Sequence, residues 1–147
     1  MYDIWRMQAL NDLQTLKANR QALINIPLRI SELEAQSTSI RSATADGIPA
    51  KGGGSGREIM LLNNITEREK LQDELDAIRK QVSKVDSALS VLTDAERRIL
   101  QVRFIDREPG ALSKLSRELD IDERTVRNRQ ADALKLFAIA MRGNMKS

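Results

Sequence analysis

Neither cysteine nor histidine occurs in this chain. Their absence removes disulfide staples, thiolate and imidazole metal ligands, cysteine nucleophiles and histidine acid–base chemistry together. A chain without cysteine is compatible with a reducing compartment. Aromatic residues make up only 3 % of the sequence against 41 % hydrophobic residues, so the apolar content is aliphatic and suits long helices joined through leucine. Only 3 prolines are present, and most of the 7 glycines fall in one stretch, which leaves long segments without a helix breaker. No run approaches the ~20 apolar residues of a membrane span, and Met1 to Arg6 has no apolar core of signal-peptide length. The expectation is a soluble, cytoplasmic chain with no membrane partner. Carboxylates, serines and lysines are plentiful but converge in no catalytic motif, so no enzyme activity, metal or cofactor is expected.

What is present is unevenly distributed. Residues 1–91 carry 12 Lys/Arg and 12 Asp/Glu, whereas residues 92–147 carry 12 against 9, so the whole net charge of +3 sits at the rear. A neutral front and a basic rear are what nucleic-acid binding by the rear produces.

From Asp3 to Gln36, Leu10, Leu13, Leu16, Leu23, Ile30 and Leu33 recur at near-helical spacing. Pro27 predicts either a break near Ile26, with Ser31 and Glu34 capping a restarted segment, or a continuous bent helix. Residues 42–56 read as a loop, because Asp46-Gly47, Pro49 and Gly52-Gly53-Gly54 are turn chemistry. The glycines are not a phosphate cradle, since Lys51 precedes them and no strand leads in. A second helix spans Arg57 to Leu92. Its seam of Leu71, Leu75, Ile78, Val82, Val85, Leu89 and Leu92 alternates steps of four and three, as in a coiled coil. Thr66 and Glu69 form a second capping pattern, from which regular helix can begin. The simplest arrangement is an antiparallel hairpin, while a homodimer through the same seams covers them equally well.

Thr93 and Glu96 make a further capping box, opening a helix from Asp94 to about Phe104 with Ile99, Leu100 and Phe104 inward. Next, Leu112, Leu115 and Leu119 line one face of a short helix. Asp120-Ile121-Asp122 breaks that pattern around a buried Ile121, and Asp122 suits the N-cap of a following helix that turns Val126, Ala133, Leu134 and Phe137 inward. Short helix, tight turn and basic second helix make a helix-turn-helix. The fold class expected is all-α, with a hairpin over 1–91 and a helix-turn-helix domain over 92–147.

The Leu92-Thr93, Glu96-Arg97, Ile99-Leu100 and Arg103-Phe104 opening, followed by Leu112, Leu115, Leu119, Ile121, Thr125-Val126 and Ala133-Leu134, resembles region 4 of bacterial sigma factors, which reads the −35 promoter element. The whole chain, hairpin included, resembles RinA/ArpU-type late-gene regulators of phages and prophages. The resemblance implies a sequence-specific, DNA-binding transcription regulator with its recognition helix over about 123–140 in the major groove. On the matched positions it puts Arg124, Arg127 and Asn128 at the base edges, where arginine suits guanine and asparagine suits adenine. Ser113, Lys114, Arg117 and Thr125 become candidate phosphate contacts. Glu123 either accepts from cytosine or complements the helix dipole. The sequence departs from the sigma pattern at Arg129-Gln130, where an apolar residue is usual. Double-stranded DNA is the expected partner, and RNA polymerase a candidate partner of the hairpin. Two other classes compete: a phage small terminase subunit, which forms large rings, and a protein-interaction adaptor.

Overall fold

A computed structural model of the chain describes residues 3–45 and 53–143. Five α-helices follow one another: α1 (Ile4–Ala45), α2 (Gly53–Ser90), α3 (Asp94–Leu100), α4 (Ala111–Leu119) and α5 (Glu123–Arg142), with a π-helical turn over Gln101–Ile105. No strand occurs among the described residues, so the all-α expectation holds.

The first two helices are longer than their local sequence predicts. Pro27 lies inside α1, so of the two alternatives the continuous helix is the one formed. Ser31 is not a cap, and Thr66 is not one either: its hydroxyl donates back to the Leu62 carbonyl at 2.9 Å within α2. The expected loop over 42–56 is shorter, because α1 runs on to Ala45 and α2 starts at Gly53; residues 46–52 lie outside the described residues. Extending an existing helix fixes one residue per hydrogen bond, so propagation overrides the weak propensity of Gly53, Gly54 and Gly56.

The chain divides into two compact units, one of Met1–Arg20 with Lys80–Ser147 and the other of Gln21–Arg79. This division cuts across the boundary expected at 91/92, because the ends of α1 and α2 pack with the helices that follow them. In the unit Gln21–Arg79, Arg29 meets Glu67 at 3.4 Å and Asn64 meets the Leu33 carbonyl at 2.7 Å, so α1 and α2 pair in opposite directions. Ile26, Leu33 and Leu75 are buried here, with Leu23, Ile30, Leu71 and Ile78 half-buried. In the other unit Ala9, Leu13 and Leu16 of α1, and Val82, Val85, Leu89 and Leu92, are buried.

The capping box at α3 forms as expected. The Glu96 backbone N–H donates to the Thr93 hydroxyl at 3.2 Å, and the Thr93 N–H to the Glu96 carboxylate at 2.9 Å. Beyond Leu100 the helix widens: the Asp106 N–H reaches the Gln101 carbonyl at 2.8 Å, five residues back. The extra residue rotates the face. Val102 and Ile105 therefore turn inward with Ile99 and Leu100, and Phe104, expected inside, is only half-buried.

Candidate nucleic-acid interface

The α4–turn–α5 unit is fixed by local bonds that the sequence foreshadows. Asp120 closes α4 in the left-handed conformation (φ 55°), and the Ile121 N–H reaches back to the Ser116 carbonyl at 3.1 Å. The Ser116 hydroxyl donates to the Ile121 carbonyl at 2.5 Å, holding the turn from the other side. Asp122 then caps α5: its carboxylate accepts from the Thr125 N–H at 2.7 Å. Hydrogen bonds from Thr125 hold the Asp122 carboxyl below the usual carboxylate range.

Beneath this turn Ile99, Val102, Ala111, Leu115 and Val126 form a buried cluster, with Leu112, Leu119 and Ile121 packed against it half-buried. Further along α5, Ala133, Leu134, Phe137, Ala138 and Met141 are buried. Two polar clamps complete the unit. Arg98 donates twice to the Glu118 carboxylate, at 2.9 and 3.0 Å, tying α3 to α4. These hydrogen bonds raise the Arg98 guanidinium pKa and lower that of Glu118. Arg103 of the π turn donates to the Gln130 side-chain oxygen at 2.6 Å. Gln130 is buried, so the polar residue that departs from the sigma pattern finds a partner for its side-chain oxygen in the π turn. Arg129 is exposed instead and lines a shallow depression with Thr93, Ala95, Glu96 and Asp132.

The expected base readers share one surface. Arg124, Arg127 and Asn128 are all exposed in the first two turns of α5, and among the described residues their side chains have no hydrogen bond or ion pair. Two arginines and an asparagine, uncommitted and presented by a helix with a fixed start, can contact purine edges in a major groove.

The expected phosphate contacts are less uniform. Arg117 is exposed and spends only a 3.4 Å bond from Nε on the Ser113 carbonyl. Lys114 pairs with Glu108 at 2.8 Å and is half-exposed, with further ammonium donors remaining. Thr125 is half-buried and bonded to Asp122. Ser113 departs from the expectation: its single hydroxyl donor is spent on the Glu123 carboxylate at 2.9 Å. That bond also restrains Glu123, so it braces α4 against the start of α5. The clamping roles of Arg98, Arg103 and Gln130 have no signature in the spacing of the sequence, apart from the polar residue at a core position of α5 that marks Gln130.

Residues 88–136 match the family described as Sigma-70, region 4. The matched segment runs from the last turn of α2 through α3, the π turn and α4 into α5, and it forms a sigma-region-4-like helix-turn-helix. A curated relative described as RNA polymerase sigma factor RpoH, from Rhizobium radiobacter, is 33 % identical over 138 residues. That alignment covers 88 % of this chain and 45 % of the relative, so the chain spans less than half the length of the protein it matches. No solved structure matches the chain.

Proposed function

We propose that this chain is a sequence-specific DNA-binding transcription regulator whose α5 lies in the major groove. The observation that carries the reading is the uncommitted edge of Arg124, Arg127 and Asn128, on a helix whose start is capped by Asp122 and braced through Glu123. Arg117 and Lys114 flank it on α4 as phosphate contacts that set register. The sigma-like match over residues 88–136 supports a role at promoters, and the resemblance of the whole chain to phage late regulators supports activation of late genes. The chain acts by binding and not by catalysis.

The hairpin is its protein-facing part. Ile24, Leu28, Ile59, Met60 and Leu62 each stand more than half exposed in the unit Gln21–Arg79, and large aliphatics left to solvent suit a protein partner. RNA polymerase is that partner in this reading, as the name of the sigma-factor relative suggests.

Footprinting on DNA flanking the gene, with a salt titration, tests the proposal. A protected site whose affinity falls steeply with salt is expected. Arg127→Ala should weaken specific binding by about 1–3 kcal/mol and relax the preference at one base pair. Equal affinity for all DNA before and after the change removes the base-reading role.

A further inference from the structure

Four polar or charged residues are buried among the described residues: Asp12, Ser37, Asn64 and Gln130. Asp12 is the carboxylate of the set, and it sits on the face of α1 that carries Ala9, Leu13 and Leu16. Burying a carboxylate is costly unless both oxygens find donors. Here they find them on two different helices. The Gln81 amide of α2 donates to Oδ1 at 2.9 Å, and the Arg142 guanidinium, in the last turn of α5, donates to Oδ2 at 2.7 Å. One side chain of α1 therefore ties together three elements of the same compact unit.

Stability alone does not account for such a cluster. A buried ion pair is often no more stabilising than well-packed apolar residues of similar size, whereas its hydrogen bonds are directional. The guanidinium carries the cost openly, since Arg142 Nη1 is buried with no hydrogen-bond partner among the described residues. Direction matters at this point of the fold. Arg127 lies 15 residues before Arg142, roughly 22 Å along the axis of α5, so a tilt of about 10° at Arg142 displaces the reading edge by roughly 4 Å. Asp12, Gln81 and Arg142 all lie outside residues 88–136, so the cluster is an addition to the region-4-like module.

We infer that Asp12 and Arg142 are positioning residues that couple the recognition helix to the base of the hairpin, so that DNA bound along α5 is felt in α1. The inference rests on the DNA-reading proposal. Its consequence is that the start of α1, the end of α2 and the reading helix, which share one compact unit, open and close as one cooperative element.

Hydrogen exchange of the full chain, with and without the footprinted DNA, tests this. At ten times Kd, DNA should slow exchange about tenfold in α5 and also in residues 9–16 of α1. In the double variant Asp12→Leu with Arg142→Met the slowing should remain in α5 and vanish from α1, with the thermal midpoint retained. Asp12→Asn, which keeps an acceptor for Gln81 but removes the charge holding Arg142, should give the same loss should the double variant fold poorly. Slowing in α1 that survives in both variants overturns the inference. Absence of any DNA effect on α5 in the unsubstituted chain instead overturns the DNA reading. The coupling is then decided by spin labels at Lys17→Cys and Asp132→Cys, clean sites in a chain without cysteine. A distance distribution that is narrow with the native pair and broad in the double variant supports the coupling, and identical distributions overturn it.

Discussion

The helix-turn-helix portion and the hairpin segment Gln21–Arg79 both have to end, pack and orient helices, and they do so by different means. In the first, helices are closed by specific groups: Thr93 with Glu96 at the start of α3, left-handed Asp120 after α4, Asp122 before α5 and left-handed Gly143 after it. Their core is three-sided and closed, with Ile99, Leu115, Val126 and Phe137 all at zero exposure. In the second, α1 and α2 run through a proline and through three glycines, and a single seam buries Ile26, Leu33 and Leu75 while several other large aliphatics stay exposed. Specific local chemistry defines the small portion, while length and propagation define the long one. A surface that holds Arg124, Arg127 and Asn128 in one orientation relies on the first kind of definition, because each local bond fixes where a side chain points.

The sharpest way to break this comparison is to remove volume from each part. Phe137→Ala should cost about 3–5 kcal/mol, because the closed core leaves a cavity that cannot collapse. Leu75→Ala, in the two-helix seam, should cost only about 2 kcal/mol, since neighbouring chain and water can fill the gap. Trp5 is the single tryptophan and belongs to the same compact unit as Phe137, so its fluorescence in urea reports that unit, while far-UV circular dichroism reports all helices. Equal losses from the two truncations would remove the distinction between closed core and open seam.

Pro27 offers the opposite sign. The proline lacks the N–H that would meet the Leu23 carbonyl, and its ring crowds the preceding turn. Pro27→Ala should therefore stabilise the hairpin segment by roughly 2 kcal/mol, after allowing for the freer unfolded chain. The gain should appear in the circular dichroism melt and leave the Trp5 transition in place. A loss of stability would mean that Pro27 is itself needed for pairing.

Asn64 sharpens the comparison from within the hairpin. It is buried, donates to the Leu33 carbonyl at 2.7 Å and accepts from Arg68 at 2.8 Å, so it supplies the seam with the directional contact that aliphatic packing lacks. Asn64→Ala should cost about 1.5 kcal/mol. Asn64→Leu should recover that stability yet let α1 and α2 slide, since apolar seams specify register weakly without a polar pin. Doubled amide resonances for residues 29–40 in the leucine variant are the expected sign; a single set would show that packing alone fixes the register.

What could be read in the sequence follows the same division. The caps at Thr93 and Asp122 were legible because their bonds close within three residues, and the seam from Leu71 to Leu92 because its period is unbroken. Yet Ser31 with Glu34 and Thr66 with Glu69 show the same pattern as Thr93 with Glu96, and neither caps anything. A capping box works only where the preceding chain is not already helical, and that is decided by pairing between distant segments. The π turn was illegible for a related reason: a fixed 3.6-residue period assigns Phe104 inward, while one inserted residue hands its place to Ile105. The exposure of Arg124, Arg127 and Asn128 on α5 was legible from the helical period, whereas the bond from Ser113 to Glu123 and the pairing of Asp12 with Arg142, 130 residues apart, leave no periodic trace.

Acid gives the smallest effect and separates the two regions by charge chemistry. Asp122 and Glu118, both in the helix-turn-helix, have carboxyl groups held below their ordinary range, the first by hydrogen bonds from Thr125 and the second by hydrogen bonds from Arg98. A carboxyl group whose pKa is lower folded than unfolded contributes stability that is complete above the unfolded value, about 4, and is lost as pH falls through the folded one. Lowering the pH from 7 to 3 should therefore reduce the urea midpoint of the Trp5 transition. Both groups are exposed, so the reduction is modest. Asp122→Asn keeps a good capping oxygen without a titrating proton, and Glu118→Gln keeps an acceptor for Arg98. Together they should lower the midpoint slightly at pH 7 and flatten its dependence on pH. An unchanged pH dependence in the double variant would assign the acid sensitivity to other carboxylates and leave Asp122 and Glu118 as hydrogen-bond acceptors only.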